Sequence, residues 1–519
     1  MNPDPRNQEW LEAGTVWDLF ELRAARTPAA TMLIDGRRGL RITYAQALDI
    51  ARRLAAGFLA QGIGPGSVVT WLLPTGLPAV MTALALARLG AVQNPVIPLY
   101  GEHELGKLLA RNRPGFLLVP AADGKRDFPA EAGRASAGLS TPPRLAVMDR
   151  ELPQGKPSTL PAPPQDGDAP RWIYCTSGST AEPKGALHTD GTLILGGRNL
   201  ARSMRVGADD MGTIAFPYAH IGGAMYTTML LASGMGAVLL DRFEAAEAAR
   251  TFARFGVTIA GGSTAHYLAL LAEQERQPGQ PLIPGLRLVC GGGAPCPPEL
   301  HRRMRESVGC VLLHHYGMTE APLVCAGAPE DGIEPLSHSS GPPVEGVELR
   351  IVAEDGRLAA TGQTGEIRVR GAAVFKGYTD PALNQSAFDA DGFFRTGDLG
   401  HRRADGRITL SGRLKDVIIR KGENISALEL EQILGSHPKV GAVAVIGLPD
   451  AERGERVCAV VEIAQGRTPL DFDEMAAWFR QARVMTQKIP EQLEIVDRLP
   501  RSEAMQKVLK HELRAQFAR

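Results

Sequence analysis

The chain has 519 residues, 57 basic and 57 acidic side chains and a formal net charge of zero. At roughly 100 to 200 residues per domain it holds more than one compact unit. Neutrality excludes a protein whose main affinity is for nucleic acid or an anionic membrane surface, so any phosphate chemistry must rest on locally placed groups.

The amino terminus is polar and lacks the basic-then-apolar order of a secretion signal. From Thr43 to Gln61 apolar residues recur at helical spacing, with Thr43 as cap and Gly62 as stop. Short apolar runs then alternate with helical segments: Val68 to Leu73, Ala91 to Ile97, Phe116 to Val119, Ala237 to Leu240, Leu286 to Cys290 and Val311 to Leu313. That alternation predicts an α/β fold of mostly parallel sheets covered by helices. The most membrane-like run, Ala79 to Leu99, is broken by Arg88, Gly90, Asn94, Pro95 and Pro98 and reads as a buried helix, a turn and a strand. The six cysteines show no CxxC pair or metal-ligand spacing, the pattern of reduced thiols in a cytoplasmic protein.

The proline-crowded stretch from Leu152 to Pro170 predicts an extended surface connection. It leads into WIYCTSGSTAEPKG, Trp172 to Gly185: a strand, a run of hydroxyl-bearing residues and glycine, and a proline-fixed turn carrying Lys184. Such a loop offers hydroxyls, approachable backbone N–H groups and a full positive charge to polyphosphate oxygens. It is not the Walker loop, and the residues alone leave open a solvated Ser/Thr turn.

Four further segments carry chemistry. Gly291 to Pro295 (GGGAP) follows a strand and precedes a helix starting at Pro297, a tight turn that a flat ring could approach. Tyr316-Gly317-Met-Thr319-Glu320 groups an aromatic, a hydroxyl and a carboxylate after another strand. Thr396 to Leu399 offers Asp398 as an acceptor for a ribose diol, and Gly412 to Asp416 offers fixed positive charge. Beyond about Gly346 closely spaced strands predict a β-rich subdomain, and beyond Asp416 the order strand, helix, strand, strand, helix predicts a small α+β module.

In this order the segments resemble the adenylate-forming superfamily of acyl-CoA synthetases, luciferases and peptide-synthetase adenylation domains, over about Thr15 to Arg514. The resemblance implies an N-terminal domain over 1–413, a hinge at Lys415 and a mobile C-terminal domain over 414–519. It implies that Thr176, Ser177, Gly178, Ser179, Thr180 and Lys184 cradle the ATP phosphates, that Gly293, Ala294 and Pro295 flank the adenine, and that Tyr316 with Gly317 stacks on it. Thr319 would bond the α-phosphate, Glu320 would bind Mg²⁺, and Asp398 and Arg413 would hold the ribose. His220 would line the entrance to the carboxylate site.

The family's catalytic lysine near the carboxyl terminus aligns with Lys507, with Lys510 as the alternative; Gln506 stands where the family has glycine, and Ala181 is a second departure. Gly422 falls where a side chain would block the family's pantetheine tunnel. The aspartate that pairs with an amino-acid substrate is missing after His220. Gly222, Gly223 and Met225, with Ser263 and Gly291, imply a roomy apolar pocket.

The resulting expectation is an AMP-forming acid-CoA ligase with ATP, Mg²⁺ and CoA, acting on a hydrophobic carboxylic acid. The run AVQNPVIPLY looks like the fatty and alicyclic members. The alternatives are an acyl-AMP ligase that loads a separate carrier protein, and an ATP- or acyl-binding homologue without catalysis. Neutrality does nothing to oppose self-association into a homo-oligomer.

Overall fold

The computed structural model describes residues 10–122, 124–148, 152–176, 183–293, 296–420, 423–450, 453–482, 484–502 and 507–518. The helix Tyr44–Ala60 shows how local sequence builds it. The Thr43 hydroxyl accepts from the Gln46 N–H while the Gln46 side chain accepts from the Thr43 N–H, a reciprocal cap. Its apolar stripe, Ala47, Ala51, Leu54, Ala55 and Phe58, is buried.

Three helix-covered sheets make up the first 325 residues. A six-stranded sheet runs in the order Arg144–Met148, Phe116–Pro120, Val68–Trp71, Val92–Pro95, Pro170–Thr176, Lys184–Thr189, parallel except for its last pair. A four-stranded sheet joins Arg41–Thr43, Thr31–Asp35, Gly236–Leu239 and Met211–Ile214. The third orders Ile259–Gly262, Leu288–Gly292, Val311–Met318 and Ala321–Cys325, parallel except at its final hairpin. An antiparallel sheet follows, Glu348–Val352, Gly365–Arg370, Phe394–Arg402 and Ile408–Arg413. A five-stranded sheet then carries the carboxyl-terminal part, with its own apolar cores around Leu430, Val461 and Phe479, and around Ile446, Cys458 and Leu513.

The expected helix, turn and strand between Ala79 and Leu99 are the helix Leu77–Leu89, Gly90 in the left-handed region and the strand Val92–Pro95. Among the described residues no helix is long and apolar enough to cross a membrane. Two expectations need correction. The strand expected over Val311 to Leu313 continues to Met318, because pairing with Ala321–Cys325 extends it past the parallel sheet. The carboxyl-terminal module also contains the strands Glu423–Ser426 and Gln492–Val496 and the helix Lys510–Phe517, which its short or polar stretches did not announce.

One buried carboxylate ties the amino-terminal helix to the first sheet. Asp190 accepts from the Trp172 indole N–H at 2.7 Å and the Val16 N–H at 3.1 Å, with Arg171 at 3.5 Å. Removing it strands two buried donors, each costing about 1–3 kcal/mol when unpaired, and takes the counter-charge from Arg171. Asp190→Ala is expected to lower the unfolding free energy by about 3 kcal/mol, read as a clear fall in melting temperature; an unchanged melt contradicts this role.

Candidate active site

The strands Pro170–Thr176 and Lys184–Thr189 are antiparallel partners, and their register sets Thr176 opposite Lys184. Ser177, Gly178, Ser179 and Thr180 lie outside the described residues, so the hairpin fixes only the two ends of the expected phosphate loop. Alternation along the second strand puts Lys184, Ala186 and His188 on one face. The Lys184 ammonium lies 5.5 Å from the centre of the Tyr378 ring, and the Tyr378 hydroxyl donates to Glu320 Oε1 at 2.6 Å. Arg111 donates to the Pro183 carbonyl at 2.8 Å and to Asp380 at 3.0 Å, which clamps the end of the loop.

Thr319 and Glu320 form the two-residue turn between the strands Val311–Met318 and Ala321–Cys325. Tyr316 and Gly317 therefore lie inside a strand rather than after it. His188 holds this turn: its Nε2 is 2.7 Å from the Thr319 carbonyl and its Nδ1 is 3.1 Å from the Thr192 hydroxyl. A carbonyl only accepts, so Nε2 carries the proton. Burial lowers the His188 pKa to about 4, and the ring stays neutral at working pH.

The Tyr316 hydroxyl donates to Asp398 Oδ2 at 2.9 Å, and Arg413 Nε reaches Asp398 Oδ1 at 2.8 Å. Asp398 and Arg413 are register partners on neighbouring antiparallel strands. Gly293 sits at the end of the adjoining strand with φ of +84°, a conformation that favours glycine. Ala294 and Pro295 lie outside the described residues.

Lys507 enters the same cleft from the carboxyl-terminal part of the chain. Its side chain keeps contact with solvent, while desolvation by the cleft walls, followed by the charges of Arg413 and Lys415, lowers its pKa to about 8 against the opposing pull of Asp398 and Glu320. Its backbone is held by Ser502, whose N–H donates to the Lys507 carbonyl at 2.7 Å and whose hydroxyl accepts from the Lys507 N–H at 3.2 Å. Lys510 is committed elsewhere. Its ammonium is 2.7 Å from Glu431 Oε1, the pair being only 17% and 13% exposed, and that carboxylate also accepts from the Val445 N–H. Lys415 follows Arg413 in the connection to the last sheet, where burial lowers its pKa and Arg514 pairs with the adjacent Asp416 at 3.3 Å. Gly422 lies outside the described residues.

His220 caps the helix Ile221–Ser233, its Nδ1 accepting from the Gly222 N–H at 3.3 Å. Burial, with the charge of Lys507 second, lowers its pKa to about 4. A narrow cleft runs beside it, lined by Val96, Ile97, Tyr100, Leu108, Cys175 and Thr319; the run AVQNPVIPLY thus supplies much of its apolar wall. At two of the expected pocket glycines there is no room for a side chain. A Cβ on Gly223 would lie 2.0 Å from the Tyr218 carbonyl, and one on Gly291 would lie 1.7 Å from the Gly262 carbonyl. They permit close backbone packing. Met225 packs on the neighbouring helix at Gly196, and Ser263 caps the helix Thr264–Arg276 with its hydroxyl 3.0 Å from His266 Nδ1.

His188, Tyr378 and Arg111 escaped the sequence reading. His188 was the accessible one, since it shares a strand face with Lys184 at a spacing of four.

Residues 20–379 match the family described as AMP-binding enzyme, and residues 429–505 match the AMP-binding enzyme C-terminal domain. The sulfoacetate–CoA ligase of Cupriavidus necator is 32% identical over 493 residues, covering 94% of this chain and 95% of that protein. The medium-chain fatty-acid–CoA ligase of Escherichia coli is 29% identical over 509 residues, covering 95% and 88%. Among solved structures, ATP-bound MatB from Rhodopseudomonas palustris superposes with a TM-score of 0.87 at 28% identity, covering 98% of this chain and 99% of that one.

The two lysines separate by stability. Lys510→Ala leaves the Glu431 carboxylate buried without its counter-charge and is expected to destabilise the carboxyl-terminal sheet by about 3 kcal/mol. Lys507→Ala removes no such partner and is expected to melt as the parent does; equal melting of the two variants contradicts the assignment.

Proposed function

The chain belongs to the AMP-binding enzyme family, and from that premise we propose that it is an acid-CoA ligase working through an acyl-adenylate on a hydrophobic, medium-chain fatty or alicyclic, carboxylic acid. The observation that carries this reading is the meeting of Lys507 with Glu320, Asp398 and Arg413 in one cleft. The names of the relatives span unlike acids, so they support the reaction class and leave the acid to the pocket. The apolar side chains of Val96, Ile97 and Leu108 in the cleft beside His220, and the lack of an acidic residue over Ile221 to Met225, support an uncharged acyl group with a largely apolar skeleton.

In the first half-reaction a carboxylate oxygen attacks the α-phosphorus of ATP, a phosphorus–oxygen bond forms, and pyrophosphate leaves. Two anions must approach, so positive charge has to be fixed where charge develops. Lys184 at the loop end serves the outer phosphates, and Lys507 serves the reacting phosphate and carboxylate. Asp398, held by Tyr316 and Arg413, faces the ribose diol with its remaining lone pairs. Thr319 offers its hydroxyl to the α-phosphate from a turn that His188 fixes.

Glu320 keeps one carboxylate oxygen beyond the one Tyr378 occupies, a hard donor that fits Mg²⁺ shared with substrate phosphates. When bound, that ion would neutralise phosphate charge. His220 stays neutral and closes the carboxylate end. In the second half-reaction the CoA sulfur attacks the acyl carbon and AMP departs. We assign the mobile unit to 414–519, turning at Lys415 to withdraw Lys507 and bring Gly422 to the pantetheine path.

Lys507→Ala is expected to abolish adenylate formation while sparing thioester formation from synthetic acyl-adenylate; loss of both halves, or of neither, contradicts the assignment. Lys507 acts as the cation, so kcat/KM for adenylation should fall as pH rises through about 8. Lys507→Arg, whose guanidinium keeps its proton, should move that fall upward by about two pH units or more. Gly422→Leu is expected to spare adenylation and block transfer to CoA. Adenylation by the parent enzyme with no thioester on adding CoA would instead indicate a carrier-protein thiol as acceptor.

A further inference from the structure

His315 is 6% exposed, and neither of its ring nitrogens has a hydrogen-bond partner among the described residues. No other described side chain has two such atoms. Buried imidazoles ordinarily bond through at least one nitrogen, because leaving a polar group unpaired away from water is costly. The two neighbours in sequence have partners or a packed place: His314 meets the Tyr267 ring edge-on, and Tyr316 bonds Asp398.

The position of His315 connects it to the acyl side of the site. Alternation along Val311–Met318 puts it on the face of the sheet that carries Leu313. Leu313 and Cys290 pack in one core with Ile221, Ala224 and Tyr226 of the helix that His220 caps. On the same face two strands away, Gly261 is level with Leu313 and faces Phe216 and Tyr226. His315 therefore faces the side of the sheet on which the helix bearing Gly222 and Met225 packs, three residues ahead of Met318 and four ahead of Thr319 in the turn.

We propose that His315 is the polar anchor of the acyl site and that the acid it selects carries an uncharged oxygen function, a hydroxyl or keto group, on an otherwise apolar skeleton. This rests on the acid-ligase reading and narrows its substrate class. A neutral imidazole has one N–H donor and one acceptor nitrogen, so a hydroxyl satisfies both and a ketone satisfies the donor. A second anionic group would call for imidazolium, and burial, lowering the pKa to about 3, keeps the ring neutral. A plain hydrocarbon acid would leave both nitrogens unpaired in the complex. A site built around a hydrogen bond discriminates against a substrate that lacks it.

The test uses the full-length enzyme and matched acids: cyclohexanecarboxylate against its ring-hydroxylated and ring-keto derivatives, and octanoate against its hydroxylated positional isomers. Pyrophosphate release is read as kcat/KM. The parent enzyme should favour an oxygenated member over its plain counterpart by about tenfold or more. His315→Leu should erase that preference while retaining the plain acid, and should melt no lower than the parent, since an apolar group of similar size replaces an unpaired polar one.

His315→Gln, which keeps a donor and an acceptor, should retain part of the preference and serves if the leucine variant fails to fold. Preference of the parent for the plain member of every pair, or equal loss for both members in His315→Leu, overturns the inference. Turnover of plain acids would then leave the ligase reading standing, whereas no pyrophosphate from any acid overturns both.

Discussion

Opposite charges gathered in one cleft are the constraint on which the rest of the structure depends. Asp398 is held between Arg413 and the Tyr316 hydroxyl, Glu320 accepts from Tyr378, and Tyr378 lies under Lys184. Lys507 completes the set from the far end of the chain. With 57 charges of each sign overall, the protein has no net field with which to gather anionic substrates. Placement of a few ions replaces it, and placement demands rigid supports.

Those supports explain much of the fold around the site. Register partners on antiparallel strands fix the Asp398–Arg413 pair, and a hairpin fixes Thr176 opposite Lys184. His188 fixes the Thr319–Glu320 turn through a single carbonyl. In each case the functional group stands at a strand end or in a tight turn, where the backbone is determined and the side chain still faces a cleft.

The alternation of helices and short apolar strands was legible because each strand buries both faces or alternates cleanly, as Val68–Trp71 and Phe116–Pro120 do. Motifs dense in glycine, hydroxyls and charge marked Lys184, Glu320 and Asp398, whereas only the family resemblance pointed to Lys507. Single residues whose role comes from distant partners left no such mark: Tyr378 meets Glu320 across 58 positions, and Arg111 meets Asp380 across 269. Gly223 and Gly291 suggested space at the acyl site, and the structure adds that a Cβ at either would strike a backbone carbonyl. Composition records that a side chain is missing but not what fills the space. That Lys510 is paired with Glu431 was likewise not legible, because what matters about Glu431 is its burial.

The central claim is that this cleft joins a carboxylic acid to AMP before any thiol is involved. Exchange of labelled pyrophosphate into ATP, measured without CoA across medium-chain, alicyclic and oxygenated acids, tests it most directly. The account predicts acid-dependent exchange with at least one of them, and thioester only once CoA is added. Exchange with none of the acids, or exchange that requires CoA, would contradict it.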